Sequence, residues 1–254
     1  MKGLQRGFDR GPSRMVLVRH GESIGNVADN EARERHADRL DLTVRDADVE
    51  LSATGEDQAE ALGRYLHGLA DDQRPTLVLT SPYERAAATA GRALVDSGLE
   101  VVTDERLRER DLGQLDGLTG DGIRNFFADE AERRKKVGKF YYQPPGGESW
   151  ADVVLRVRSL LSDLRHGFDA ERLWIFTHQA VIMSFRYVLE GVSESELLAI
   201  DRTSPIPNCS LTTYERSGGT FRLLGFADTE PLDRNRAPVT AEPSGSDRGA
   251  SSHA

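Results

Sequence analysis

The 254-residue chain predicts an α/β fold, a three-layer α/β/α arrangement with a mostly parallel central sheet. Three observations point to it. Short apolar runs without alternation recur at residues 15–18, 76–80 and 173–176, as in strands covered on both faces. Each run is followed by a segment with helical spacing, and strands alternating with helices build a parallel sheet. Each run also ends abruptly at polar residues, where ligands sit in open α/β sheets.

The elements follow in order. Residues 1–14 are polar, with glycine and arginine, and read as a flexible arm without the apolar core of a secretory signal. Strand one, residues 15–19, runs into Arg19-His20-Gly21-Glu22-Ser23. The polar stretch 26–50 reads as a long loop over the sheet edge, suited to shaping a binding site. Ser52 or Thr54 caps a helix with Ala59, Leu62, Leu66 and Leu69 on one face. Strand two, residues 76–80, leads through Ser81-Pro82 into an alanine-rich helix to about residue 95, with Pro82 well placed in its first turn. Residues 101–103 form a third strand, and 106–117 a charged loop. Helical segments run from 120 to about 136. Pro144-Pro145-Gly146-Gly147 breaks the chain before a helix that begins at Glu148-Ser149. Its stripe is Val153, Val154, Val157, Leu160, Leu161 and Leu164. Strand four, 173–176, ends at Thr177-His178 and leads into an apolar helix, 180–189. Residues 208–214 and 220–226 close the sheet around a Ser217-Gly218-Gly219 turn. From residue 228 the chain is poor in large apolar groups and reads as a disordered tail. The expected domain is therefore residues 15–227.

Composition narrows the function classes. A net charge of −9 argues against a nucleic-acid partner. No stretch is long and apolar enough for a membrane span. The single cysteine, Cys209, rules out an internal disulfide, suits a reducing compartment and fits a cytoplasmic location. With no neighbouring base or cation, its thiol reads as buried and inert.

The strand ends carry the chemistry. In a parallel sheet, Arg19-His20, Ser81 through Arg85, and His178 share one edge. Arg19-His20 alone reads equally well as a capped strand end. Together, two histidines, two arginines and a helix N-terminus form a site for a dianionic tetrahedral group. A neutral imidazole there can attack phosphorus, and arginines can stabilise the transferring phosphoryl. The leaving oxygen needs an acid, for which Glu109 is the best candidate, with Glu105 and Asp111 as local competitors. No histidine, cysteine or carboxylate spacing suggests a metal, and no cofactor is expected.

Arg-His-Gly-Glu-Ser, with asparagine at the eighth position of the run, resembles the histidine phosphatase superfamily. That family includes cofactor-dependent phosphoglycerate mutases and fructose-2,6-bisphosphatases. The resemblance spans most of residues 15–215 and rests on ordered blocks at 19–26, 80–90, 107–117, 145–149 and 176–181. It implies a phosphoglycerate mutase-like fold. It also implies that His20 is the phosphorylated nucleophile, Arg19 and Arg85 bind phosphate, and His178 donates to a phosphoryl oxygen. Glu109 would protonate the leaving group, and Asn26 would be a further donor. Ser23, Gln179 and Arg45 are additional candidates for substrate contact.

His178-Gln179-Ala180-Val181 is similar to the bisphosphatase branch, as is the aromatic run 139–142. Met183 and Gly146, however, stand where that branch carries an arginine and a lysine. The mutase branch's Thr-Gly-Trp-like loop and longer basic insertion are absent. The expectation is a metal-independent phosphatase for a small phosphorylated metabolite, able to form a homodimer. A 2,3-bisphosphoglycerate-dependent mutase and a non-catalytic phospho-ligand binding module are the alternatives.

Overall fold

The structure is a computed structural model that describes residues 8–242. Its six-stranded sheet has the order β3-β2-β4-β1-β5-β6. The four parallel strands are β1 (Arg14–Arg19), β2 (Leu77–Thr80), the edge strand β3 (Val101–Thr103) and β4 (Arg172–Thr177). They pair in parallel, as the unalternating apolar runs require. The hairpin of β5 (Leu211–Ser217) and β6 (Thr220–Asp228) adds antiparallel to β1.

Successive side chains of β1 and β4 feed two different cores. Met15, Leu17, Leu173 and Ile175 pack with the stripes of α6 (Trp150–Gly167) and α7 (Gln179–Glu190). Val16, Val18, Trp174 and Phe176 pack with Leu62 and Leu66 of α2 (Ala53–His67) and Ala90 and Ala93 of α3 (Glu84–Ala93). This period-two division is why both strands read as continuous hydrophobic runs. α4 (Gly120–Phe126) and α5 (Ala128–Val137) hold a smaller cluster with Leu115, Leu118 and Tyr142.

The structure departs from the sequence reading in four places. The stretch 26–50 is not one long loop, because α1 occupies Ile24–Glu34. Ser23 caps it in a capping box with Asn26, and its buried face is Asn26, Ala28, Asp29 and Ala32, too small and polar to show an apolar period. A helix between the closing strands and α7, α8 (Glu194–Thr203), is likewise absent from the sequence reading, although Ser193 and Glu196 form its capping box. The arm is not free through residue 14: Phe8 is buried with its ring edge-on to Phe221, centroids 4.9 Å apart. Burying such a ring contributes roughly 1.5–3 kcal/mol, enough to hold a short segment. The tail is not disordered from 228. β6 continues to Asp228, and α9 (Glu230–Asn235) buries Leu232 against Ala61 and Cys209. The outer parts of the expected arm and tail, residues 1–7 and 243–254, lie outside the described residues. No helix of the described residues is long and apolar enough to cross a membrane.

Candidate active site

The register of the sheet assembles the site. Arg19 pairs with Thr177 across β1 and β4, and Thr80 pairs with Phe176 across β2 and β4. The next residues, His20, His178 and Ser81, therefore emerge at one level. The His20 and His178 ring centroids lie 5.1 Å apart. Both rings are buried.

Backbone contacts hold the turn after His20. The Gly21 amide donates to Thr89 Oγ1 on α3 (2.9 Å), and the Glu22 amide donates to Gln58 Oε1 on α2 (2.8 Å). A Cβ on Gly21 would lie 2.6 Å from the Gly55 carbonyl oxygen, and one on Gly55 1.9 Å from that of Glu22. The turn and the first turn of α2 can approach this closely only as glycines. Glu22 accepts from the Ser52 hydroxyl and is spent on this packing.

His20 Nδ1 lies 2.7 Å from the Gly21 carbonyl oxygen. A carbonyl only accepts, so Nδ1 carries the proton. Burial, reinforced by the Arg85 and Arg19 charges, pushes the His20 pKa well below its ordinary 6.5. The ring is therefore neutral at neutral pH, with its lone pair on Nε2.

Arg19 is 1% exposed; one guanidinium nitrogen donates to the Ile206 carbonyl and another pairs with Glu242 at 3.0 Å. Arg85, buried on α3, donates to the Asp46 carbonyl (2.6 Å) and pairs with its carboxylate (3.0 Å). Asn26 accepts the Ser23 amide and the Asn208 side-chain amide on Oδ1, so its own Nδ2 is left to donate, and it donates to Glu242. Glu109 accepts the Arg110 amide (2.8 Å) and the Ala180 amide at the start of α7 (3.4 Å). Burial dominates and raises its pKa above the ordinary 4.5. Arg156 on α6 clamps the Glu109 loop by donating to the Arg106 and Glu109 carbonyls and to Glu148.

Arg19, His20, Asn26, Arg85, Glu109 and Gln179 all line one cavity of about 460 Å³. Ser23 also lines it, but its hydroxyl oxygen accepts the Asn26 amide as the cap of α1. Two of the expected site residues are not in the lining of this cavity. Arg45 is not at the cavity: it lies on the solvent face of the turn at Asp46–Asp48, its side chain 80% exposed and forked onto Asp48. The same turn aims Asp46 inward instead. His178 stands behind His20, and its Nε2 lies 2.8 Å from Ser81 Oγ. Among the described residues its buried Nδ1 has no hydrogen-bond partner. Burial and the Arg85 charge keep its pKa well below 6.5.

Sequence reasoning missed Asp46, Asn208, Gln58 and Glu242. Only the short spacing to Arg45 and the polar pair Asn208-Cys209 before β5 hinted at any of them. Met183 is buried in the core on α7. Cys209 is buried, and its thiol pKa is raised by that burial, as the inert reading expects.

A profile of the histidine phosphatase superfamily (branch 1) matches residues 15–229, which contain His20, Arg85, Glu109 and His178. The chain belongs to the histidine phosphatase superfamily. A 2,3-bisphosphoglycerate-dependent phosphoglycerate mutase of Allorhizobium ampelinum is 31% identical over 200 residues, covering 76% of this chain and 87% of that protein. The phosphoglycerate mutase-like protein AT74 of Arabidopsis thaliana is 33% identical over 173 residues, which is 65% of this chain but only 50% of that protein. Among solved structures, a mycobacterial glucosyl-3-phosphoglycerate phosphatase in complex with VO3 superposes with a TM-score of 0.69 at 26% identity, covering 85% of this chain and 100% of that one. The alpha-ribazole phosphatase of Shigella flexneri shares the fold, with a TM-score of 0.66 at 23% identity over 85% of this chain and 97% of that one. This histidine phosphatase is a phosphoric monoester hydrolase by class, as the family and its phosphatase neighbours support.

Proposed function

We propose that the protein is a phosphatase that hydrolyses a small phosphorylated metabolite through a phosphohistidine on His20. The observation that carries the reading is the state of His20: a neutral ring, its Nδ1 proton fixed on the Gly21 carbonyl, beside two buried arginines. The lone pair of Nε2 is then free to attack phosphorus. Arg19, Arg85 and the Asn26 amide bind the phosphoryl oxygens and stabilise their charge as it is transferred.

As the Nε2–P bond forms, the P–O ester bond breaks and its electron pair leaves with the alcohol oxygen. Glu109, whose raised pKa favours the protonated acid, supplies the proton. The resulting carboxylate takes a proton from water, whose oxygen attacks phosphorus. The N–P bond then breaks, returning the pair to Nε2 and releasing phosphate. His178 backs the His20 ring and shares its buried surroundings beside Arg85. A cavity of about 460 Å³ suits a small substrate.

The identity with phosphoglycerate mutases supports a second reading, in which the phosphoryl group on His20 is passed to a phosphoglycerate hydroxyl as the N–P bond breaks. Parallel assays separate them. Hydrolysis of p-nitrophenyl phosphate without 2,3-bisphosphoglycerate-dependent interconversion of phosphoglycerates supports the phosphatase. The reverse pattern would establish the mutase, and neither activity would favour a binding module.

A further inference from the structure

The anion-binding groups of the cavity hold a carboxylate from the chain's own C-terminal segment. Glu242 places one oxygen 3.0 Å from Arg19 and the other on the Asn26 side-chain amide. These are two of the three groups that the phosphatase reading gives to the substrate's phosphoryl oxygens.

The segment is held there by more than this contact. Leu232 of α9 is fully buried against α2 and Cys209, and Ala237 packs on the same cluster. Gln58 of α2, itself fully buried, donates to the Pro238 carbonyl (2.9 Å) and to the Thr240 hydroxyl (2.8 Å). The Asn208 amide donates to the Thr240 carbonyl (2.9 Å), and the Thr240 hydroxyl reaches Asn208 Oδ1. Asn208 and Gln58 also hold the His20 carbonyl and the Glu22 amide. The strap is thus pinned by the residues that shape the nucleophile's turn.

We propose that residues 237–242 are a built-in competitor, and that the Glu242 carboxylate must leave Arg19 and Asn26 before a phosphoryl group can bind. This rests on the phosphatase reading of the pocket. Pinning at Thr240 keeps the carboxylate at the high effective concentration of an intramolecular ligand. At 30% exposure the Glu242 side chain remains open to solvent and to exchange. A monoanion that replaces it exchanges one carboxylate for another and gains nothing. A phosphoryl dianion gains a second charge and an extra acceptor oxygen among the same donors. The strap therefore selects for dianionic groups and lowers the affinity for all of them.

The test is calorimetric titration of inorganic phosphate into the full chain and into E242Q at one fixed salt concentration. E242Q keeps the side-chain size and removes the charge. A strap occupied about nine-tenths of the time cuts apparent affinity about tenfold, so E242Q is expected to bind phosphate about tenfold more tightly. E242A shifts affinity in the same direction, and thermal unfolding confirms that both variants fold. Equal or weaker binding by folded variants, with clear binding by the wild type, overturns the strap and leaves the phosphatase reading standing. Absence of phosphate binding in all three proteins overturns both.

Discussion

His20 and His178 stand 5.1 Å apart because the residues before them, Arg19 and Thr177, are paired in the parallel sheet. Neighbouring strands thus deliver two imidazoles to one buried, arginine-lined edge. Among the described residues neither ring has a carboxylate partner, and burial with the nearby guanidiniums favours the neutral form of both. A neutral His20 is a nucleophile, whereas a protonated one is only another cation.

This sets the pH dependence of kcat/KM. Activity needs His20 unprotonated and Glu109 protonated. The His20 pKa is depressed below 6.5, so the acid limb lies below that value. The Glu109 pKa is raised above 4.5, so the alkaline limb lies above that one. The expected profile is a bell reporting the free enzyme's two groups. E109Q loses the alkaline limb and about 10²- to 10⁴-fold of kcat with substrates that have poor leaving groups. A rate that rises steadily into alkali in the wild type would exclude Glu109 as the acid.

The same depressed imidazoles couple stability to pH. Above 6.5 both folded and unfolded chains carry neutral His20 and His178, and these groups add no pH dependence. As pH falls from 6.5 towards the lower folded values, the unfolded chain takes up protons that the folded one refuses. Stability therefore drops on acidification, while most carboxylates remain ionised. Urea midpoints at about pH 7.5 and 5.5 measure it, and H178Q flattens the dependence.

Arg85 is expected to act on the transition state more than on the fold. It lies on α3 with its guanidinium at the cavity and Asp46 as its partner. R85K keeps the charge but loses the planar fork, so kcat falls about 10²- to 10³-fold. A steady-state comparison with R45A supplies the contrast: exposed Arg45 lies outside the cavity, and R45A leaves kcat/KM within about twofold.

Gly21 and Gly55 meet backbone to backbone, so each tolerates no side chain. G55A must push the Glu22 carbonyl away from a Cβ that would sit 1.9 Å from it. Overpacking of this kind costs about 1–3 kcal/mol, and denaturant titration reads it as a lower midpoint with an unchanged slope. Because the displaced segment carries His20, kcat falls as well.

The legible parts of this protein are those written in periodicity and chemistry together. Residues 15–20 and 173–178 announce both buried strands and their polar ends, and the sheet register makes those ends meet. The helix at Ile24–Glu34 was illegible because its inner face is asparagine, aspartate and alanine rather than a leucine stripe. The C-terminal strap is illegible because only Leu232 and the small Ala237 anchor it apolarly, and it is otherwise held by polar contacts to Gln58, Asn208, Arg19 and Asn26. Arg45 and Asp46 show a different limit. In a short irregular turn no period decides which neighbour faces inward, so the sequence does not show that the Asp46 carboxylate points to Arg85 while Arg45 faces solvent.

The most direct test of the central claim is acid-labile phosphorylation of His20. Wild-type protein mixed with p-nitrophenyl phosphate and quenched within one turnover is predicted to carry one phosphoryl group, mapped by mass spectrometry under alkaline conditions to the peptide holding His20. H20A, shown to be folded by its thermal transition, is predicted to carry none and to hydrolyse nothing. A phosphoryl group on another residue, or full hydrolysis by H20A, would contradict the account.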